Sequence, residues 1–137
     1  MVNDIVQAAE KSREVLRKIR DMSRADIDKK TLLPLVRQAV FYKLMIEEQA
    51  ENNLRNLVII SIKTQDMKAG GLSDEMIRKQ IQKYDCHQTS LVARKKVLLL
   101  MYLERELGIR MSDEDAVFAE TLEDLSELIA FYLKEGV

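Results

Sequence analysis

Cys86 and His87 are the first residues to weigh for chemistry, because thiols and imidazoles attack carbonyls, move protons and bind metals. They are the single cysteine and the single histidine of the 137-residue chain. A structural zinc site generally needs four such ligands, and this chain offers two, side by side. Neighbouring residues on a helix or strand point apart, and no third group is identifiable to orient a Cys–His dyad. "DCHQT" (85–89) therefore reads as an exposed turn. Glu47 and Glu51 share a helical face at i, i+4, with Glu48 beside them. Di-iron bundles combine such glutamates with Glu-x-x-His motifs on two helices, and none is present, so these acids read as a solvated face. Gly70-Gly71 before Ser73 would suit a phosphate only if a strand preceded it and Gly-Lys-Ser/Thr followed; neither does, so it reads as a helix-ending loop. Arg94-Lys95-Lys96 is a small basic cluster at a helix start. With a pI of about 5.9 and no interleaved aromatics, it argues against a nucleic-acid interface. No set of side chains able to make or break bonds emerges. The chain is read as non-enzymatic and without a cofactor.

The elements that position these residues read as helices throughout. One Pro and four Gly in a chain 47% hydrophobic and 33% charged predict an all-α helical bundle. Residues 4–22 form an amphipathic helix, with Ile5, Ala8, Ala9, Val15, Leu16, Ile19 and Met22 at helical spacing. "SRADIDKKT" (23–31) is a polar connection. Thr31 is a natural N-cap, and Pro34 then falls in the first turn, where its missing N–H costs nothing. From Leu32 the helical pattern continues to about Gln65, with a bend or break expected near Asn52–Asn53. "LVIISI" (57–62) is β-branched, but with no partner strand elsewhere it reads as buried helix. Ser73 starts a short helix, "DEMIRKQIQKY", ending before the turn at 85–89. Thr89 or Ser90 begins a helix ending at Leu107, with Gly108 as its left-handed stop. Ser112 caps a short acidic turn, and Thr121 caps the last helix, 122–134, striped by Leu125, Leu128, Ile129 and Leu133.

The organisation expected is one domain, residues 1–137, with a long-helix hairpin (1–69) and a smaller C-terminal helical unit (73–137). Aromatics are scarce and Trp is absent, so Leu, Ile, Val and Met must fill the core, the seven Met mainly as gap fillers. No secretory signal and no apolar run of about 18 residues is visible, so neither export nor a membrane span is expected, and the cytoplasm is the simplest compartment. Charge is uneven. Residues 111–137 carry eight acids against Lys134, or −7, and since the whole chain is −1, residues 1–110 carry +6. That asymmetry suggests a charge match within or between molecules, or simply a solvated acidic face.

The C-terminal third, about residues 93–134, resembles an acyl carrier protein. "VLLLMYLERELGI" is similar to that family's second helix, "MSDEDA" to the acidic segment after it, and "ETLEDLSELIAFYL" to its final helix. The resemblance implies a small helical unit that docks partners through its helices. It also implies a phosphopantetheine arm on a Ser at the head of the second helix. Gapless register puts Val92, Ala93 and Arg94 there, and Ala93 has no hydroxyl. Ser90, in "TSL", is the one nearby candidate, three residues early and without the Gly-x-Asp context. The family's second helix is usually acidic at its docking face, whereas this one opens with Arg94, Lys95 and Lys96. An arm is therefore not expected.

The function expected is an acyl-carrier-like protein acting through protein–protein contact. The partner-binding residues expected are Arg94, Lys95, Lys96, Asp113, Glu114 and Asp115. The alternative is an unrelated helical scaffold or regulatory subunit. Homodimerisation through residues 32–66 is expected, because one short partner helix cannot cover a long helix with apolar ends.

Overall fold

The computed structural model describes residues 2–68 and 91–135, and these are helical apart from short connections. Helix α1 is Val2–Arg20, α2 is Lys29–Leu44, α3 is Leu54–Lys68, α4 is Leu91–Leu107, α5 is Asp113–Phe118 and α6 is Leu122–Glu135. A single 3-10 turn, Arg24–Asp26, joins α1 to α2. No strand occurs among the described residues; one isolated antiparallel bridge pairs Asn53 with Thr121. The residues at 70–71, the Ser73 cap with its helix, the turn holding Cys86 and His87, and Ser90 lie outside the described residues.

The long helix expected over 32–65 is two helices. Its true start is earlier: Asp28, not Thr31, is the N-cap, its carboxylate accepting the Thr31 N–H at 2.7 Å. The carboxylate is held below its usual pKa chiefly by that bond. Pro34 consequently sits in the second turn, where it has no N–H to offer the carbonyl of exposed Lys30. The break begins at Met45 and runs through residue 53, so it takes in Asn52–Asn53 as expected but starts earlier. Met45 adopts left-handed backbone (φ 58°, ψ 43°), and Ile46 N–H bonds back to Phe41 O at 3.1 Å. This is the helix stop usually made by glycine. Buried Ser61 donates to Leu44 O at 2.6 Å, satisfying a terminal carbonyl of α2 with a side chain of α3.

The connection 45–53 is held by Arg37. Its guanidinium donates to Gln49 O (2.5 Å), Glu51 O (3.2 Å) and Asn52 Oδ1 (3.4 Å), while its face lies 5.2 Å from the Phe41 ring centre. The first turns of α3 and α6 are then clasped together. Leu54 N–H donates to Glu120 O (2.8 Å) and Leu122 N–H to Asn52 O (2.9 Å), so each helix start satisfies an amide of the other. Thr121 caps α6 as expected, accepting from Asp124 N–H at 3.1 Å. Asp124 returns the bond by accepting from Thr121 and Glu120 N–H, both at 3.2 Å, in a capping box. Gly108, at φ 69°, ends α4 as the sequence predicts.

One apolar cluster runs through all of this. Helix α2 is its spine, burying Leu32, Val36, Ala39, Val40, Phe41 and Leu44. It packs on α1 along one side and α6 along another, while α4 lies on α1 and α3. "LVIISI" is buried helix, with Leu57, Val58 and Ile62 inside. The broken helix folds both its ends into this core, burying Leu32, Val36, Val40 and Leu44 from one part and Leu54, Leu57, Val58 and Ile62 from the other, while Tyr42 stays exposed.

Candidate functional site

The residues left over from the core are concentrated elsewhere. Among the described residues, Val97, Leu98 and Met101 on α4, Val117 and Phe118 on α5, and Phe131 on α6 are large, apolar and more than half exposed. Phe118 is 75% and Val117 73% exposed, values normally seen for charged side chains. They line three neighbouring depressions. The first, about 550 Å³, lies between α2 and α4 and is lined by Lys43, Leu44, Lys95, Leu98, Met101 and Arg105, with Tyr102 as its wall. The second, also about 550 Å³, lies between α4 and α5, shares Met101, and includes Val97, Glu104, Arg110, Asp113 and Val117. The third, about 410 Å³, lies between α5 and α6 with Asp115, Phe118, Asp124, Glu127, Leu128 and Phe131. Together they make an apolar belt across α4, α5 and α6.

The belt is bipolar. At its α2–α4 end stand Lys43, Lys95 and Arg105, with Arg13 near them; Glu106 lies 3.5 Å from Arg13 and 3.8 Å from Arg105. At its α5–α6 end stand Asp115, Asp124 and Glu127, with Glu114 one turn before Phe118; Lys29 lies 3.8 Å from Glu127. Arg110, Glu104 and Asp113 share the middle.

The structure brings Lys95 together with Lys43 and Arg105, and Asp115 with Asp124 and Glu127. Arg94, Asp113 and Glu114 are exposed, and Lys96 is half-buried. Asp115 is fixed by Tyr132, whose hydroxyl donates to its carboxylate and accepts from Ser112 N–H at 3.1 Å. Ser112 in turn caps α5, accepting Asp115 N–H at 3.1 Å. Sequence reasoning missed Lys43, Arg105, Phe118 and Phe131. The signal for Phe131 was present, since it falls off the apolar stripe of α6.

Beneath the basic end lies an arrangement of described residues that resembles catalytic machinery. Tyr102 donates to Ser12 Oγ at 2.8 Å, Ser12 donates to Ala39 O at 2.8 Å, and Lys43 Nζ sits 4.4 Å from the Tyr102 ring centre. Burial pushes the Tyr102 phenol up. Burial, aided by Arg13 and Arg105, pulls the Lys43 ammonium down. Ser12 is 0% and Tyr102 4% exposed, and both hydroxyl protons are committed inward. A nucleophile or proton donor must reach its substrate. These hydroxyls reach only each other and a helix carbonyl, so the relay stitches α1, α2 and α4 together. Among the described residues no group of three His, Cys, Asp or Glu is placed to hold a metal, and no helix is long and apolar enough to cross a membrane.

Compared with protein-family models, with curated proteins and with solved structures, the chain matches none of them.

Proposed function

We propose that this chain is a non-catalytic docking protein that binds another protein through the belt across α4, α5 and α6. The observation that carries this is the patch itself. Two phenylalanines, each offering about 150–250 Å² of surface and more than half exposed, stand with four further apolar side chains around three depressions on α4, α5 and α6. The exposed apolar area is on the order of 600 Å², the upper end of what a monomer usually leaves in water. An apolar centre with charged margins is the usual anatomy of a protein interface. A photo-crosslinking residue placed at 118, 131 or 98 in cells is expected to give discrete protein adducts. The same residue at 5 or 6, where Ile5 and Val6 are also exposed but lie on α1, is expected to give none. Equal yields from both sets would overturn the proposal.

A carrier-like form of this role is supported by one feature: in chain order the short α5 follows the longer α4 and precedes α6, as the acyl carrier resemblance leads one to expect. Ala93, at the family's attachment position, is exposed and has no hydroxyl. Intact mass after incubation with a phosphopantetheinyl transferase and coenzyme A tests whether an arm is carried. An arm mapped to Ser90 would make the chain a true carrier and overturn the reading of Ala93, while an unchanged mass fits the armless carrier-like form and an unrelated scaffold alike.

A further inference from the structure

We infer that the partner seated on the belt is a second copy of this chain, related by a twofold axis near Met101 and Val117. This rests on the docking role proposed above and adds the identity of the occupant. The argument is charge complementarity. The belt is positive at the Lys43–Lys95–Arg105 end and negative at the Asp115–Asp124–Glu127 end, with an almost balanced middle. A surface polarised in this way repels its own copy in parallel alignment and attracts it in antiparallel alignment. A twofold axis through its middle produces the antiparallel alignment and sets the basic end of each protomer on the acidic end of the other. Such an interface is self-complementary and closes at two subunits. The centre is apolar on both copies, so Phe118 and Phe131 of one protomer face the Leu98–Met101 depression of its partner. The chain-wide asymmetry, −7 over residues 111–137 against +6 over the rest, has the same polarity.

The test uses the full purified chain. Sedimentation from about 1 to 100 µM, the range of a moderate protein–protein affinity, is expected to show a monomer–dimer equilibrium. Raising salt from roughly 50 to 500 mM is expected to weaken it several-fold, because screening acts on charge pairs while salt leaves or strengthens apolar contact. Phe118→Asp is expected to weaken it at least about 30-fold, as for a central interface anchor. The decisive arm is a charge swap. Lys95→Glu with Arg105→Glu makes both ends acidic, and Glu114→Lys with Glu127→Lys makes both ends basic. Each variant alone is expected to be monomeric, and an equimolar mixture is expected to form a heterodimer. Circular dichroism checks that each folds; if one does not, the salt dependence and Phe118→Asp decide. A wild-type chain monomeric throughout, a dimer indifferent to Phe118→Asp, or folded swap variants that fail to pair would each overturn the inference. A monomeric wild type that still crosslinks from position 118 in cells removes self-association alone, whereas loss of those crosslinks removes the docking role itself.

Discussion

Replacing Ser12 by Ala is expected to be more harmful than replacing Ser12 and Tyr102 together. Ser12 is wholly buried, accepts the Tyr102 hydroxyl at 2.8 Å and donates to Ala39 O at 2.8 Å. In Ser12→Ala, Ala39 O retains its place in the α2 ladder, but the buried Tyr102 hydroxyl loses its acceptor. An orphaned buried hydroxyl costs about 1–3 kcal/mol, and the lost net bond to Ala39 about 1 more. Tyr102→Phe leaves Ser12 bonded to Ala39, so it costs only about 0.5–1.5 kcal/mol. The double variant has no orphan and is expected to regain about 1–2 kcal/mol over Ser12→Ala, a coupling that a double-mutant cycle reads directly. Urea unfolding at constant m-value measures all three. At roughly 3–5 °C per kcal/mol for a domain of this size, Ser12→Ala should melt about 6–20 °C early. Additive effects, with the double variant the least stable, would refute the claim that the relay satisfies a buried hydroxyl.

Met45→Gly is expected to stabilise the chain by about 0.5 kcal/mol, because glycine accepts φ 58° without the Cβ clash that methionine bears; thermal melting checks the sign. Thr121→Ala is expected to cost about 1 kcal/mol through loss of the α6 cap, read by the same melt. Arg37→Ala should release residues 46–53, raising their amide exchange while exchange in α1 stays unchanged. The Tyr102 phenol is raised in the folded state, so its contribution is complete below the unfolded tyrosine value of about 10 and is lost as pH rises above it. Lys43 is lowered, so its buried ammonium costs stability below its folded pKa, and that cost is relieved as pH rises toward the ordinary lysine value. The stability gap between wild type and Tyr102→Phe should therefore narrow above pH about 10.

Much of the fold was legible because its signals are local. Gly108, Ser112 and Thr121 act where their types predict, and the stripe of Leu125 and Ile129 is buried. What was not legible depends on partners distant in sequence. Nothing in "FYKLMIEE" announces a left-handed Met45; the break is held by Ser61 and by Arg37 gripping the loop after it. Thr31 looked like a cap because hydroxyl caps are common, yet Asp28, one turn earlier, wins with a charged acceptor at the positive helix end. The site divides in the same way. Lys95 and Asp115 were identifiable from charge clusters. Their companions Lys43, Arg105 and Glu127 are joined to them only by packing. The apolar belt was hidden because α4 is apolar around most of its circumference, so its buried Leu99 and Leu103 could not be told from its exposed Leu98 and Met101.

Covalent footprinting compares the belt in dilute purified protein and inside cells most directly. Docking predicts that labelling of Leu98, Met101, Phe118 and Phe131 falls several-fold in cells, while Ile5 and Val6 label equally in both. Equal labelling of the belt in the two settings would contradict it.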